Sequence, residues 1–541
     1  MNFKKLAVVG SLVLMSGGLV ACGKASAKSS STQKTLHLMQ DTDLTSLDTS
    51  NTATLTQWNV LQQSMEGLYR VNSKNKVVGA MATKVVKPTN NGKTYTFHLR
   101  KNAKWSNGDK VTAQDFVTAW RRSVSSTSTS GYSYIYEGIK NATQISAGKK
   151  STKTLGVKAV NQTTLKVTLS RAMPYLSKML TMPAFFPQDH KVVAKYGKDY
   201  GTSSTKMAYN GPFTVSGWNG TNDSWNMLKN TYYYDKSAIK LNKMTMQVVK
   251  DSTTAHNLFS QGKLDDATVS GVTAQGLQSD KHMKHVSKAG TYYLRLNMAK
   301  NHALHNKYLR QALNLVLNKS SLTKKVLSDG STPAYNYVTP SLVTDPTTGK
   351  DFGTETASTA RYNVKKAQQL WNKGLKQLGK KSVTLKLVSD DTSISKTIDQ
   401  FVQAAVKQHL SGAKVNVSAV PDKTGSSAVS EGDYDMQYTL WLADYADPVS
   451  FFDILTKNNP QNYGHYRDTV FNTQVSEAHG KNATNTKAYW QNMRTAAKRL
   501  NTTTAVVPLY NMTESHLVNS KLQGVVYHSV GENDYTRASF K

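Results

Sequence analysis

Cysteine is nearly missing from this chain of 541 residues: there is one, Cys22. No internal disulfide can form, which excludes a small cross-linked scaffold. Acidic residues are half as numerous as basic ones, 34 Asp+Glu against 68 Lys+Arg, leaving a formal charge of +34. No long apolar run occurs beyond the N-terminus, which excludes a polytopic membrane protein. The usual catalytic signatures are absent as well. With no G-x-S-x-G elbow and no H-E-x-x-H, serine-hydrolase and zincin chemistry lack their residues. Gly92-Lys93-Thr94 ends like a phosphate-binding loop, but Lys87 stands where its first glycine belongs and Pro88 follows.

What is present suits a folded body. Hydrophobic residues make up 38% and aromatic ones 9%, enough for a core and not a disordered composition. The length suggests about two to four structural units. The positive charge is spread along the chain, and pairs such as Lys149-Lys150 and Lys365-Lys366 are its densest points. Without a basic stripe, zinc-ligand spacing or RNP-type motif, nucleic-acid binding is not expected. Solubility and affinity for a polyanionic cell envelope are the better reading.

The N-terminus carries an address. Lys4 and Lys5 precede an apolar run, Leu6 to Met15, too short to span a bilayer. Leu19-Val20-Ala21-Cys22 resembles the lipobox of bacterial lipoprotein precursors, which are cut before an acylated cysteine. Residues 1–21 are then a signal peptide and Cys22 the lipidation site. Residues 22–34, small and polar, form a tether with a reach of about 20 Å. An ordinary secretory signal cut near Ala25-Ser26-Ala27 is the alternative; the position of the sole cysteine favours lipidation.

Further on, Thr35 to Met39 and Tyr95 to Arg100 alternate like strands, the second after a turn at Asn90-Asn91-Gly92. Thr112 and Asp115 open a helix as a capping-box variant, with Phe116, Val117, Trp120 and Val124 on one face. A helix from Asn363 to Leu378 ends at Gly379. A strand at Val383 to Val388, a helix through Ile394 to Val406 and a strand at Lys414 to Val417 follow. This alternation predicts an α/β region, with a cleft between domains as the default ligand site. Two histidine pairs, His282/His285 and His302/His305, have the spacing of one helical face but lack further ligands, so solvated surface histidines are expected. Asp265-Asp266 is expected in a solvated turn, since neighbours on a strand point to opposite faces.

From about residue 35 onward, several stretches occur in a telling order: Ser46-Leu47-Asp48; Met65-Glu66-Gly67-Leu68-Tyr69; Tyr95 to Asp109 leading into Val111-Thr112-Ala113-Gln114-Asp115-Phe116; Asn210-Gly211-Pro212-Phe213; Tyr293 to Asn297; and Trp441 to Pro448. In these the chain resembles the extracytoplasmic solute-binding proteins of ABC importers for oligopeptides, family 5, whose Gram-positive members are lipid-anchored. The resemblance implies an α/β, two-lobed periplasmic-binding-protein-like fold of type II, with an inserted extra domain and a hinge cleft. Lobe I would combine 35–65, 190–291 and 511–541; the inserted small domain would span 66–189, and lobe II 292–510.

The resemblance also implies a peptide site and no catalysis. Asp444, the aspartate of Ala443-Asp444-Tyr445, would receive the ligand's ammonium, a charge-assisted bond worth about 1.5–3 kcal/mol. Asp447 would instead cap the turn at Pro448. Thr439 to Leu442 would be an edge strand, with the main chain of Leu440 and Leu442 bonding the peptide backbone and Trp441 walling a side-chain pocket. Tyr132 or Tyr134 would close over the ligand. Two departures bear on the peptide's C-terminal end: Tyr438 stands where relatives often carry arginine, and Ser50 to Thr54 is neutral where an acidic residue is expected. The expected partners are an oligopeptide, the permease and ATPase subunits of an importer, and the membrane through Cys22, for a monomer on the extracellular face. No cofactor and no metal are expected. A pheromone, nickel or sugar receptor, or an envelope adhesin, are the alternatives.

Overall fold

In a computed structural model, residues 35–51, 54–128 and 132–541 are described, excepting the side chains of 422 and 423. Cys22, the signal segment, the tether and Gly131 lie outside the described residues.

The body is organised by one large mixed sheet. Ten of its strands, in chain order, are β1 (Thr35–Gln40), β2 (Phe213–Ser216), β3 (Ser224–Lys229), β4 (Lys243–Val248), β5 (Asp266–Val269), β6 (Met283–Leu296), β7 (Val383–Ser389), β8 (Ala413–Ala419), β9 (Met436–Leu442) and β10 (Val506–Val518). They lie side by side as β8-β7-β9-β6-β10-β5-β1-β4-β3-β2, and a two-residue strand, Thr332–Pro333, adds to β10. β6 and β10 have 14 and 13 residues, against four to seven in the other eight. Their length lets them serve two halves. The start of β6 pairs with the end of β10, beside β5. After a register break between Ser287 and Thr291, the rest of β6 pairs with β10 on one side and β9 on the other. Gly290 sits in that break, where a Cβ would meet Leu442, Leu440 and Met512 at 3.1–3.3 Å; a larger residue would push the crossing strands apart.

Ahead of β9 the chain follows the expected α/β alternation. The helix Val364–Leu378 is capped by Asn363, whose Oδ1 accepts from Lys366 N at 2.9 Å, and ends at Gly379 with φ +64. β7 and β8 run parallel over seven residue pairs, connected by the helix Ser393–His409. Trp371, Leu385, Leu387, Ile398 and Val402 share their core.

A second, three-stranded sheet (Thr94–His98, Thr164–Thr168, Val157–Asn161) packs with the helix Ala113–Ser123 on the largest core. Its entry turn is as expected, with φ of 51, 50 and 82 at Asn90, Asn91 and Gly92. The capping box forms, although Thr112 donates both its N–H (2.7 Å) and its hydroxyl (3.1 Å) to Asp115 Oδ2. That oxygen also accepts from Trp105 Nε1 at 3.1 Å, while Oδ1 takes His190 Nδ1 at 2.6 Å and His190 N at 3.1 Å.

Other family stretches also meet one another. Asn210 Oδ1 accepts from Glu66 N and its amide donates to Glu66 O, at 3.0 and 2.8 Å. Gly211 lies so close to Ser64 and Met65 that a Cβ would come within 2.7 Å of their backbone. Asp48 binds Arg122 at 2.8 Å through Oδ2. These residues hold the scaffold together.

One expectation fails. Asp265 and Asp266 are not in a solvated turn: both are buried at the start of β5. They do face apart. Asp265 accepts from His37 N at 2.9 Å and Asn519 Nδ2 at 2.7 Å, while Asp266 meets His516, Tyr527 and Tyr535 at 2.6–2.9 Å. The histidine pairs do not share helical faces, but they lie at the surface as expected: His285 and His305 are exposed, and His282 and His302 are half-buried. His285 lies on β6 against Ser515 Oγ (3.0 Å), His282 meets Asp280 (2.9 Å), His302 meets Asp435 (3.0 Å), and His305 meets the Met298 carbonyl (3.0 Å). Each has a partner that sequence spacing does not reveal.

Candidate functional site

β9 ends at Leu442, and the loop after it carries Ala443, Asp444, Tyr445, Ala446 and Asp447. Serine anchors this loop: Asp444 N donates to Ser450 Oγ at 3.0 Å, and Trp441 Nε1 to the Ser450 carbonyl at 2.9 Å. Asp447 accepts from Val449 N (3.2 Å) and Tyr489 OH (2.6 Å), the expected turn role with an added hydroxyl. From the other side, Lys178 Nζ donates to the Ala446 carbonyl at 2.5 Å and lies 3.4 Å from Asp447. Tyr445 stacks on Tyr175 with centroids 5.3 Å apart. Arg171 and Tyr175 both bond His479, which bonds Asp453 at 2.7 Å. Residues 171–178 and 444–479 are thus laced together by hydrogen bonds.

The Asp444 side chain points into this junction. Its two oxygens accept from Tyr132 OH at 3.4 Å and Tyr134 OH at 3.3 Å. Trp58 packs against Tyr132 at 5.2 Å, and the two tyrosines are 5.7 Å apart. Hydroxyls are neutral donors, and among the described residues no cation stands against this carboxylate. Burial accordingly pushes its pKa up to about 7, and the two hydroxyls pull back only part of that rise. The same burial, with Asp444 adjacent, raises both tyrosines well above 10. Asp444 keeps intermediate surface exposure, and it lines a cavity.

The cavity measures about 490 Å³ and draws its walls from distant parts of the chain. Trp58 and Gln62 come from the helix Leu55–Ser64, Val71 from the short strand Tyr69–Val71, Lys178 from the short helix Leu176–Met179, Asp351 and Asp444 from later segments, and Glu532 from the C-terminal segment. Glu532 is a second unneutralised carboxyl, pushed up to about 8 by burial with Glu514 and Asp41 nearby, despite Lys288.

Of the residues singled out from sequence, Asp444 and Tyr445 line this cavity, Ala443 is buried behind them, and Tyr132 and Tyr134 hold the Asp444 oxygens. Leu440, Trp441 and Leu442 stand on β9 outside its lining, and Trp441 packs on the core. β9 is not a sheet edge as a whole: β6 pairs with all of it, and β7 with Met436 and Gln437. Past Gln437 no strand covers the second side among the described residues. The pair Ala443 N–H to Ala289 C=O (2.9 Å) sets the alternation, which turns the main-chain groups of Leu440 and Leu442 toward that uncovered side. Tyr438, standing for the relatives' arginine, is buried, its hydroxyl 2.5 Å from that of Tyr510.

Asp115, Asp189 and His190 come close enough to suggest a metal site. Their oxygens are already in use, however. Asp189 caps Lys191 and Val192 through one oxygen and receives Asn107 Nδ2 at 2.9 Å on the other, so the cluster is a structural knot. Sequence reasoning missed Trp58, Lys178 and Glu532. Trp58 reads as one more apolar residue on a helix, and the others carry no local signature.

Two lobes sharing a pair of long strands, with a side-chain-lined cavity at their junction, define a two-lobed binding protein. The chain belongs to the bacterial extracellular solute-binding proteins, family 5, whose model matches residues 76–463. Members of this family are binding proteins, not enzymes. The chain is 35% identical to the dipeptide-binding protein of Lactococcus lactis subsp. cremoris over 98% of both chains. Among solved structures it is similar to Listeria monocytogenes OppA bound to peptide, with TM-score 0.82 and 33% identity over 94% of this chain and 99% of that one. It is also similar to the pheromone receptor PrgZ, with TM-score 0.83 and 33% identity over the same shares.

Proposed function

We propose that this protein captures oligopeptides by their free N-terminus and main chain and hands them to the permease and ATPase subunits of an ABC importer. One observation carries the reading: the Asp444 carboxyl lines the cavity with only neutral hydroxyls as side-chain partners among the described residues. An incoming ammonium supplies the missing charge, and Tyr132 and Tyr134 orient the oxygens that meet it. The uncovered side of β9 offers Leu440 and Leu442 for main-chain pairing that ignores sequence. Tyr445 walls the pocket beside the anchor, and Trp441 stiffens the strand and loop from behind.

The lobes would follow the division 35–65, 190–291 and 511–541 against 292–510, with 66–189 inserted, and would part about β6 and β10 to admit the ligand. Lipidation at Cys22 would hold a monomer on the extracellular face of the membrane. Among the related structures, Listeria monocytogenes OppA is bound to peptide and PrgZ is a peptide-binding pheromone receptor, and an unmodified peptide pheromone would use the same anchor.

The test is native mass spectrometry of the purified chain, followed by denaturation and sequencing of what is released. Peptides with free amino termini are expected. Release of a sugar or a metal instead, with no peptide bound on addition, would overturn the reading.

A further inference from the structure

A second cavity, of about 240 Å³, lies apart from the peptide cavity and shares no lining residue with it. It has room for about eight waters. Among its walls are Asn314, Lys319, Tyr335 and Arg361, and no carboxylate.

Lys319 is only 5% exposed. Two of its three N–H groups are accounted for, by Asn314 Oδ1 at 2.9 Å and the Ala334 carbonyl at 3.1 Å. Both acceptors are neutral. Its ammonium lies 5.5 Å from the Tyr335 ring centre, and the Arg361 guanidinium lies 3.8 Å from the same centre. Arg361 spends Nη1 on the Ser358 and Ala360 carbonyls, at 2.6 and 3.1 Å. Its Nη2 and Nε have no acceptor among the described residues.

Arg310 shows how this chain buries a cation for structure alone. Its guanidinium donates to the carbonyls of Leu304, His305, Thr503 and Thr504 at 2.8–3.0 Å. Lys319 is not treated so. Burial and the Arg361 charge both disfavour its charged form and pull it down to about 7, and among the described residues no anion opposes them. A buried cation without a counter-charge is costly. The cost falls when an anion enters the cavity.

We infer that this cavity is an oxyanion site, taking a phosphate-class group between the Lys319 ammonium and the free donors of Arg361. A guanidinium offers paired donors to a tetrahedral oxyanion, and an ammonium adds a point charge. The group could arrive as free phosphate or on a larger molecule, as a monoester or a diester.

Inorganic phosphate is titrated into the full chain at pH 7 and fixed ionic strength, followed by calorimetry. One saturable site is expected, weakened at least tenfold by Arg361→Gln, an exposed position, and lost in Lys319→Met. Lys407→Gln removes an equal charge elsewhere on the surface and should bind as wild type. Glycerol phosphate and a glycerol phosphodiester, run in parallel, separate the sources: binding of phosphate and monoester alone assigns small anions, and equal binding of the diester assigns a polymer or headgroup. Unsaturable binding, or equal binding by Arg361→Gln and wild type, would overturn the inference, since the general charge of the surface would then account for it.

Discussion

At Asp444, burial disfavours the charged carboxylate, whereas two long hydrogen bonds from Tyr132 and Tyr134 favour it; burial prevails and the pKa stands near 7. The sign of the consequence follows. A folded-state pKa above the unfolded value near 4 contributes stability fully present below pH 4 and lost as pH rises to 7. The ligand-free protein should therefore lose stability over that window, and Asp444→Asn should lose less, as read from urea midpoints. Ligand binding should run the other way, because an ammonium selects the carboxylate. We predict that affinity for a free-amine peptide strengthens by up to about tenfold per pH unit between 5 and 7, then levels off until the peptide amine itself titrates near 8. Calorimetry across pH checks this, and a flat profile for the wild type would refute it.

At the scale of elements, β9 is paired fully on one side and for only two residues on the other. A peptide lying along the free side would bond the main chain of Leu440 and Leu442. N-methylation of one ligand amide facing them should weaken binding about five- to tenfold, a lost hydrogen bond of about 1 kcal/mol, while methylation of the neighbouring amide should cost little. Gly290, at the crossing of β6, β9 and β10, leaves little room for a side chain: Gly290→Val should destabilise by about 1–3 kcal/mol through overpacking, measured by urea unfolding.

The same scale explains what was legible. The helices at Ala113–Ser123 and Val364–Leu378 carry caps and periodicity within their own segments, so sequence reveals them. Asp265-Asp266 and His302 owe their burial to partners more than 130 residues away, and no local pattern encodes that. The most family-specific stretch, Tyr95 to Asp109 with Val111 to Phe116, marks the resemblance yet knots the scaffold around Asp115. The cavity's Trp58, Lys178 and Glu532 arrive from separate segments without any motif. Asp444 was legible only because its motif lies beside it.

Across the whole molecule, β6 and β10 are common to both halves, and Lys178 reaches across to Ala446 and Asp447. The body would thus work as two jaws on a shared pair of strands. Among the described residues no helix is long and apolar enough to cross a membrane; the attachment proposed is the lipid on Cys22. Cys22→Ser should move the protein from the membrane fraction into the medium or into an uncleaved precursor, and metabolic labelling with a fatty-acid analogue should be lost. A labelled Cys22→Ser protein would place the anchor elsewhere.

The most direct measurement compares one tripeptide, free and N-acetylated, binding to the wild type and to Asp444→Asn. The wild type should prefer the free peptide by at least about tenfold, in keeping with a charge-assisted bond, and Asp444→Asn should bind both alike. Equal binding of the two peptides by the wild type, or an undiminished preference in Asp444→Asn, would contradict the assignment of Asp444 as the anchor.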